Sequence, residues 1–472
     1  MRNRALAIAL SLPLAIASVA GAQAAIDFSS AQQVIDGFGA SSAWHGELAT
    51  AELDAAFSNG NSNQLGLSIL RVDIDPAGQS NWASQKTNAT NAKARGAKYV
   101  LATPWSPQAY MKTNNNTVGG ELSTGSYPAY AAYLSMFYKY MGNVDVISVQ
   151  NEPNITVDYT SCTWSATQLY NFVKNNAMTI GAPVMMPETY NYDISYSDPV
   201  LNDATAAANI DYIGLHLYGA TMKTYTNAID KKKKIWMTEY YLDPEDIGTQ
   251  MTMGQSIMDC LNNGMNAYIW WYLRMPNCNL VNSDGTIQNK GYIMGQFSKY
   301  VRPGYVRVSA TYQPQSGVSI VAFKGTKNVI IALNQNTSAK SQTFNLSNGT
   351  FANAHRYTTS DSKKIKDDGT VAVANNSFTV SLDAQSLTTF VADATTDIDP
   401  KSQGSAALSR LGNRIMANGS DGVLRLSDLS GRIVRSSASV GGHVEMGLDH
   451  LRGGVYLAQW GGSVLRVVVS GD

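Results

Sequence analysis

Charge is scarce in this chain and balanced where it occurs. Only 15% of the 472 residues are Asp, Glu, Lys or Arg, and the two signs cancel at 35 each. A chain without an excess of either sign offers no electrostatic purchase to nucleic acid or to an anionic membrane, so neither is expected as a partner. The single basic run, Lys231 to Lys234, precedes an apolar run and reads as the end of a helix, where it complements the helix dipole. Cysteine is scarcer still. Cys162, Cys260 and Cys278 match no metal spacing. Cys260 lies in a helical pattern; Cys162 and Cys278 fall in loops, and a disulfide between them stays open for an exported chain. After the N-terminus no stretch approaches the ~20 apolar residues of a membrane span. No glycine-rich phosphate loop follows the first strand-like run, which argues against a nucleotide-binding open sheet. No cluster of His, Cys and acids stands out, and the chemistry read below needs neither metal nor cofactor.

What is present is apolar and aromatic. Hydrophobic residues make up 44%, with 25 Tyr and 8 Trp, enough for a large core in two or three domains. Most of the aromatics fill that core; exposed ones can stack on sugar faces. Arg2 and Arg4, the apolar run Ala5 to Ala20, and Ala22-Gln23-Ala24 read as an export signal over residues 1–24, with maturation near Ala24 or Ala25. Eight short apolar runs follow: Val34–Phe38, Leu67–Val72, Tyr99–Ala102, Val144–Val149, Val184–Met186, Tyr212–Leu217, Ile235–Met237 and Ala267–Trp271. Segments with helical spacing lie between them, such as Tyr127–Met141, Ser165–Ala177 and Gly248–Asn263. Eight alternations of strand and helix predict a (β/α)8 TIM barrel over 37–299. Period-two alternation after Tyr300 predicts an antiparallel β-side domain over 300–393, then a polar linker at 394–406 and a small C-terminal β-domain at 407–472.

Nearly every run ends in polar or aromatic residues: Arg71 and Asp73, Trp105, Asn151 and Glu152, Glu188, His216 and Tyr218, Glu239, Trp271 and Arg274. A barrel gathers its strand C-termini on one face, so these scattered positions are expected to converge. Glu152 and Glu239 fall at the fourth and seventh strands. Alone, Glu152 could cap a helix and Glu239 could serve an internal ion pair. Together they suit a glycosidic bond, one as acid/base and one as nucleophile, which in a retaining enzyme stand ~5 to 5.5 Å apart. Glu152 is assigned as acid/base and Glu239 as nucleophile. Arg71, His216 and Tyr218 are expected to keep Glu239 ionised. Asn151 is expected on the sugar 2-hydroxyl, and Trp105 or Trp164 as the apolar wall that keeps Glu152 protonated. Trp44, Trp105, Tyr190, Tyr218, Trp271 and Arg274 complete the expected substrate contacts, beside Arg71, Asn151 and His216.

The ordered set Ile35-Asp36-Gly37-Phe38-Gly39-Ala40, Leu67 to Val72, Pro104-Trp105-Ser106-Pro107, Ile147 to Pro153, His216-Leu217-Tyr218-Gly219, Trp236 to Glu239, Trp270 to Arg274 and Phe297 to Tyr305 resembles the bacterial xylanase subfamily of glycoside hydrolase family 30, in clan A. The resemblance spans Gln33 to about Val391. It implies a retaining β-1,4-xylanase with a barrel and a fused β-side domain, whose first mature strand (25–36) joins the side domain; a monomer is expected. Its two glutamates take the roles given above.

One stretch departs from that subfamily. Its usual Tyr-Ile/Leu-Arg-Arg-Ser-Tyr-Gly holds the glucuronate branch of xylan through the second arginine and the tyrosine. Here Met275 stands at that arginine and Asn277 at that tyrosine. A methionine makes no bidentate bond to a carboxylate. The loops after Tyr218 and Tyr241 also read as shorter than usual. The expectation is a secreted endo-xylanase with little dependence on glucuronate. Its alternatives are a glucuronate-dependent enzyme with Arg274 in the clamp, release of xylobiose from chain ends, a β-glucan substrate, or a non-catalytic xylan-binding protein. From Ala407 the tail resembles the C-terminal sorting domain of type IX secretion cargo, through Leu426-Ser427-Asp428-Leu429-Ser430-Gly431-Arg432 and Leu451 to Leu457, which implies the secretion machinery as a partner. A carbohydrate-binding module is the rival reading of the tail, with only Tyr456 and Trp460 as its aromatics.

Overall fold

The computed structural model describes residues 22–276, 278–349, 351–393, 407–411, 414–418, 423–428, 432–439, 443–449, 451–460 and 463–469. The expected linker at 394–406, Asn277 and most of the expected export signal lie outside the described residues. The first strand, β1 (Ala22–Val34), begins three residues before the expected start of the mature chain. Eight parallel strands then close into a barrel: β2 (Gly37–Ser41), β3 (Ile69–Asp73), β4 (Tyr99–Thr103), β5 (Val146–Ser148), β6 (Val184–Thr189), β7 (Tyr212–His216), β8 (Lys234–Glu239) and β9 (Ala267–Tyr272). Each falls on one of the eight apolar runs. The runs are continuous because both faces of a barrel strand are covered, one by the interior and one by helices. The first run was split by the fold: Val34 ends β1, and the chain turns through Gly37, whose φ of 139° suits glycine, before entering β2.

Alternation along each strand sorts the interior into layers. Ile69, Leu101, Val146, Met185, Trp236 and Ile269 fill the lower interior. Asp36 closes that end, accepting from Trp236 Nε1 at 2.9 Å and pairing with Lys234 Nζ at 2.5 Å. Two residues farther up, β3, β4, β5 and β8 turn polar with Arg71, Thr103, Ser148 and Thr238, joined by His216 at the end of β7, all buried. The interior is tight there. A Cβ on Gly214 would lie 2.7 Å from Glu188 Cγ, so β7 needs glycine to admit that side chain.

Helix signals are local. Helix Tyr127–Met141 carries Pro near its start and ends on left-handed Gly142. Helix Ala166–Asn176 opens with a Ser165/Gln168 capping box. Helices Ile247–Asn262 and Asn289–Ser298 also carry the β-side sheet. Gln296 donates to Thr359 Oγ1 at 2.8 Å and accepts from Thr389 at 2.9 Å. That sheet has nine strands and is mostly antiparallel. The exception is β1, antiparallel to Val306–Ala310 on one side but parallel to Lys340–Ser347 on the other.

Among the described residues the C-terminal unit is all β, with a three-stranded and a four-stranded antiparallel sheet. Tyr456 and Trp460 are buried in its core with Leu424 and Leu426. Among the described residues no helix is long and apolar enough to cross a membrane. Cys162, Cys260 and Cys278 are all free and buried, so the Cys162–Cys278 bond left open above is absent from this structure.

Candidate active site

The upper layer of the barrel gathers three carboxylates, Glu152, Glu188 and Glu239, around two basic side chains, Arg71 and His216, all nearly or fully buried. Arg71 is the hub. Its Nη1 lies 2.6 Å from Glu239 Oε2, and its Nη2 lies 2.6 Å from Asn151 Oδ1 and 3.2 Å from Glu188 Oε1. Its Nε donates to Thr103 Oγ1 at 3.3 Å, and Thr103 donates to Glu188 Oε2 at 3.0 Å. The guanidinium also sits 4.8 Å from the Trp105 ring. A charge this deep is tolerated because its donors meet anions or oxygen acceptors.

His216 acts on Glu239 through charge, as expected, but its hydrogen bond goes to another carboxylate. Its Nδ1 lies 3.0 Å from Glu152 Oε1, and its Nε2 lies 3.7 Å from Glu188 Oε1. The position of His216 at the end of β7 places its ring between those carboxylates. Tyr218 does meet the expectation, donating to Glu239 Oε1 at 3.0 Å. Both oxygens of Glu239 thus accept a bond, from Arg71 and from Tyr218. Burial raises the Glu239 carboxyl, while His216 and Arg71 oppose that rise. Burial by itself would lower His216, but Glu239, Glu152 and Glu188 outweigh it and raise the imidazole to about 9. Glu188 is the converse: Arg71 and His216 overcome its burial and hold it down at about 2.

These shifts fix a pH dependence of stability. His216 binds its proton more tightly folded than unfolded. Its contribution is therefore complete below pH ~6.5 and is lost as pH rises through about 9, on the order of 3 kcal/mol in all. Glu188 is depressed, so its contribution is complete above pH ~4.5 and is lost toward pH 2. Denaturant titrations at pH 6, 7.5 and 9 are expected to show a loss for wild type that His216→Gln lacks. Equal slopes for the two proteins would contradict the cationic assignment.

The carboxylates are aimed by strained backbone. Glu152 has φ 44° and Glu188 φ 52°, both left-handed, and the Glu152 N–H donates to the Glu188 carbonyl at 3.0 Å. Such positions cost about 1–3 kcal/mol each and collect at functional sites. An oxygen of Glu152, one of Glu239 and a nitrogen of His216 lie within 4.8 Å of one another, a cluster not visible along the chain. That spacing could also suit a metal. The imidazolium and the Arg71 guanidinium already supply positive charge there, so the donor set fits proton transfer better.

Above this centre lies a cavity of about 430 Å³ lined by Trp44, Trp105, Tyr159, Tyr190, Tyr218 and Trp271 with both glutamates. Trp44 is left-handed at φ 60° and half exposed, 5.1 Å from Trp105 and 5.8 Å from Tyr159 and Trp271. Tyr190 stacks on Tyr218 at 5.0 Å. Two expected residues are not brought here. Trp164 packs on Tyr127, Tyr130 and Phe172 and donates to Gln150, so it forms no wall for Glu152. Arg274 pairs with buried Glu52 at 3.3 Å and is absent from the cavity lining. Glu188 joins the cluster as its strand-end position predicts, though the sequence assigns it no role. One residue was missed. Tyr159 sits in a loop, where nothing local marks it.

Residues 81–299 match the model of a glycosyl hydrolase catalytic core. Glucuronoxylanase XynC of Bacillus subtilis strain 168 is 38% identical over 401 residues, 80% of this chain and 94% of that protein. Among solved structures, the family 30 subfamily 8 xylanase Xyn30A of Clostridium acetobutylicum is 42% identical with a TM-score of 0.76. The family 30 endoxylanase of Clostridium papyrosolvens C71 is 39% identical with a TM-score of 0.74. This chain covers all of both structures with 79% of its own length. A closed eight-stranded barrel with paired carboxylates at its upper rim, and these likenesses, define a glycoside hydrolase. The chain belongs to glycoside hydrolase family 30.

Proposed function

We propose that this protein is a secreted, retaining endo-β-1,4-xylanase that depends little on glucuronate branches. The observation that carries the reading is the spacing of Glu152 and Glu239, with an oxygen of each within 4.8 Å. Retention needs ~5 to 5.5 Å between the carboxyls, whereas inversion needs ~6.5 to 9.5 Å to seat a water. The identity of 38–42% to a glucuronoxylanase and two xylanases supports xylan as substrate.

Glu239, held by Arg71 and Tyr218, attacks the anomeric carbon while Glu152 gives its proton to the leaving oxygen. His216 donates to Glu152 Oε1, so Oε2 is the oxygen free to carry that proton. Once the proton has left, the Glu152 carboxylate faces the imidazolium, which stabilises it until it takes a proton from the attacking water. Asn151 gives its oxygen to Arg71, leaving Nδ2 to donate to the sugar 2-hydroxyl. No cofactor enters these steps.

Branch independence rests on Met275 and on Arg274, whose engagement with Glu52 opposes its use as a substitute clamp. Comparable rates are expected on glucuronoxylan, arabinoxylan and undecorated xylan, with products unrelated to branch positions. A working clamp contributes about 1.5–3 kcal/mol, which would separate the substrates roughly ten- to a hundredfold. Cuts only on glucuronoxylan, at a fixed offset from each branch, would overturn the branch reading.

The accompanying organisation is a signal at 1–24, the first strand of the mature chain within 25–36 (β1 without its first three residues), a barrel at 37–299, a side domain at 300–393, a linker at 394–406 and a tail at 407–472, in a monomer. The tail's likeness to type IX cargo supports a sorting role. Burial of Tyr456 and Trp460 favours that over carbohydrate binding, which needs exposed aromatics.

A further inference from the structure

A second and larger cavity, of about 620 Å³, adjoins the catalytic one and shares only Trp44 and Trp105 with it. It is built from the loops after β3 and β4, with Asp73, Asp75, Gln108 and Tyr110 in its lining and Thr160 from the loop after β5. Resting on the xylanase reading above, we infer that this cavity seats the leaving-group side of the chain and admits only xylose units without an acidic branch.

Position decides which side it serves. A chain cut internally must extend past the glutamate pair in both directions. Beyond Glu239, the loop after β8 lines the far end of the catalytic cavity through Tyr241, Leu242 and Asp243. The second cavity holds no residue of that loop and is lined instead by Thr160, from the loop that follows Glu152. Glu152 is the group that protonates the leaving oxygen, so the departing sugars lie there.

Charge decides what it admits. Asp73 and Asp75 line it, and no Lys, Arg or His does. Both acids are fixed. Asp73 accepts the Trp44 N–H at 3.1 Å. Asp75 accepts the Ala77 N–H at 2.7 Å and Asn81 Nδ2 at 3.0 Å. Neither can swing away from an incoming anion or be neutralised by a neighbouring cation. Xylose hydroxyls can donate to such oxygens, and Tyr110, 69% exposed, offers a ring face. A uronate brought within about 6 Å of Asp75 is disfavoured on the order of tenfold; burial raises Asp73 to about 6, so its share of the repulsion is complete only above that pH.

The experiment is digestion of glucuronoxylan by the full chain, with sequencing of the acidic products by mass spectrometry. Each cut creates a new non-reducing end from the leaving-group side. Products with uronate on that terminal xylose are expected about tenfold below their frequency in the polymer, and Asp75→Asn should raise them toward it. Tyr110→Ala, an exposed truncation that cannot unfold the barrel, is expected to slow xylohexaose cleavage several-fold and shift its cut position. Uronate-bearing ends at polymer frequency in wild type, an unchanged profile in Asp75→Asn, or wild-type cutting of xylohexaose by Tyr110→Ala would each overturn the inference alone. Failure of wild type to cut undecorated xylan would overturn the proposed function, and this inference with it.

Discussion

Glu239→Ala is expected to lose activity on xylan by about 10⁴-fold or more, as removal of a nucleophile does when its partners act as a unit. The informative result comes from adding azide. Without the Glu239 carboxylate, azide fills its space and attacks an activated aryl xyloside once, giving the α-linked azide. In Glu152→Ala the glycosyl-enzyme on Glu239 still forms, because an aryl leaving group needs no proton. Azide then attacks from the opposite face and gives the β-linked product. Opposite anomers from the two variants would assign both roles and the retaining course together. The reverse pattern would exchange the assignments, and full activity in either variant would remove that residue from the chemistry.

The second large effect is at Arg71. Arg71→Met keeps volume but removes the guanidinium that pairs with Glu188 and Glu239, leaving His216 as the one cation of the cluster facing these buried acids. Breaking a buried pair from one side costs about 3–5 kcal/mol, so a large fall in unfolding free energy is expected at pH 7. The deficit has a sign in pH. Both carboxylates then hold protons more tightly in the folded chain than in the unfolded one, so the loss shrinks as pH falls toward 4.5 and the acids neutralise. Activity falls as well, since a protonated Glu239 is no nucleophile. Arg71→Lys restores charge but not the fork that reaches Asn151, Glu188 and Glu239 together, and should recover stability more than rate. A variant that melts with wild type across this pH range would remove Arg71 from the centre of the network.

The barrel was legible because its strands are continuous apolar runs with polar ends, a pattern that closure of eight parallel strands requires. Glu152 and Glu239 were legible for the same reason, each being an acid directly beyond such a run. What surrounds them depends on geometry across strands. His216 bonds Glu152 and reaches Glu239 through charge alone, and no spacing along the chain distinguishes those two kinds of contact. Trp105 and Trp164 were equal candidates for the wall beside Glu152; the loop after Glu152 carries Trp164 away onto Tyr127 and Phe172, and Trp105 lines the cavity. Arg274 lies three residues after Trp271, yet Glu52, more than two hundred residues earlier, claims it. Left-handed backbone at Glu152 and Glu188 left no trace in residue type, since neither is glycine or asparagine.

The placement of β1 bears on how the chain reaches this state. Its partners begin at Val306 and Lys340, so Ile26 pairs with Ala310 only after the entire barrel has been synthesised. The first strand made is therefore among the last to be seated. Until then the side sheet has a gap between Val306–Ala310 and Lys340–Ser347, and β1 itself presents unpaired edges. Pairings of such long sequence separation fold slowly and leave strand edges open to neighbours. A chain released before its side sheet is complete would carry a closed barrel and an unzipped seam, and crowding at that stage would favour aggregation over docking.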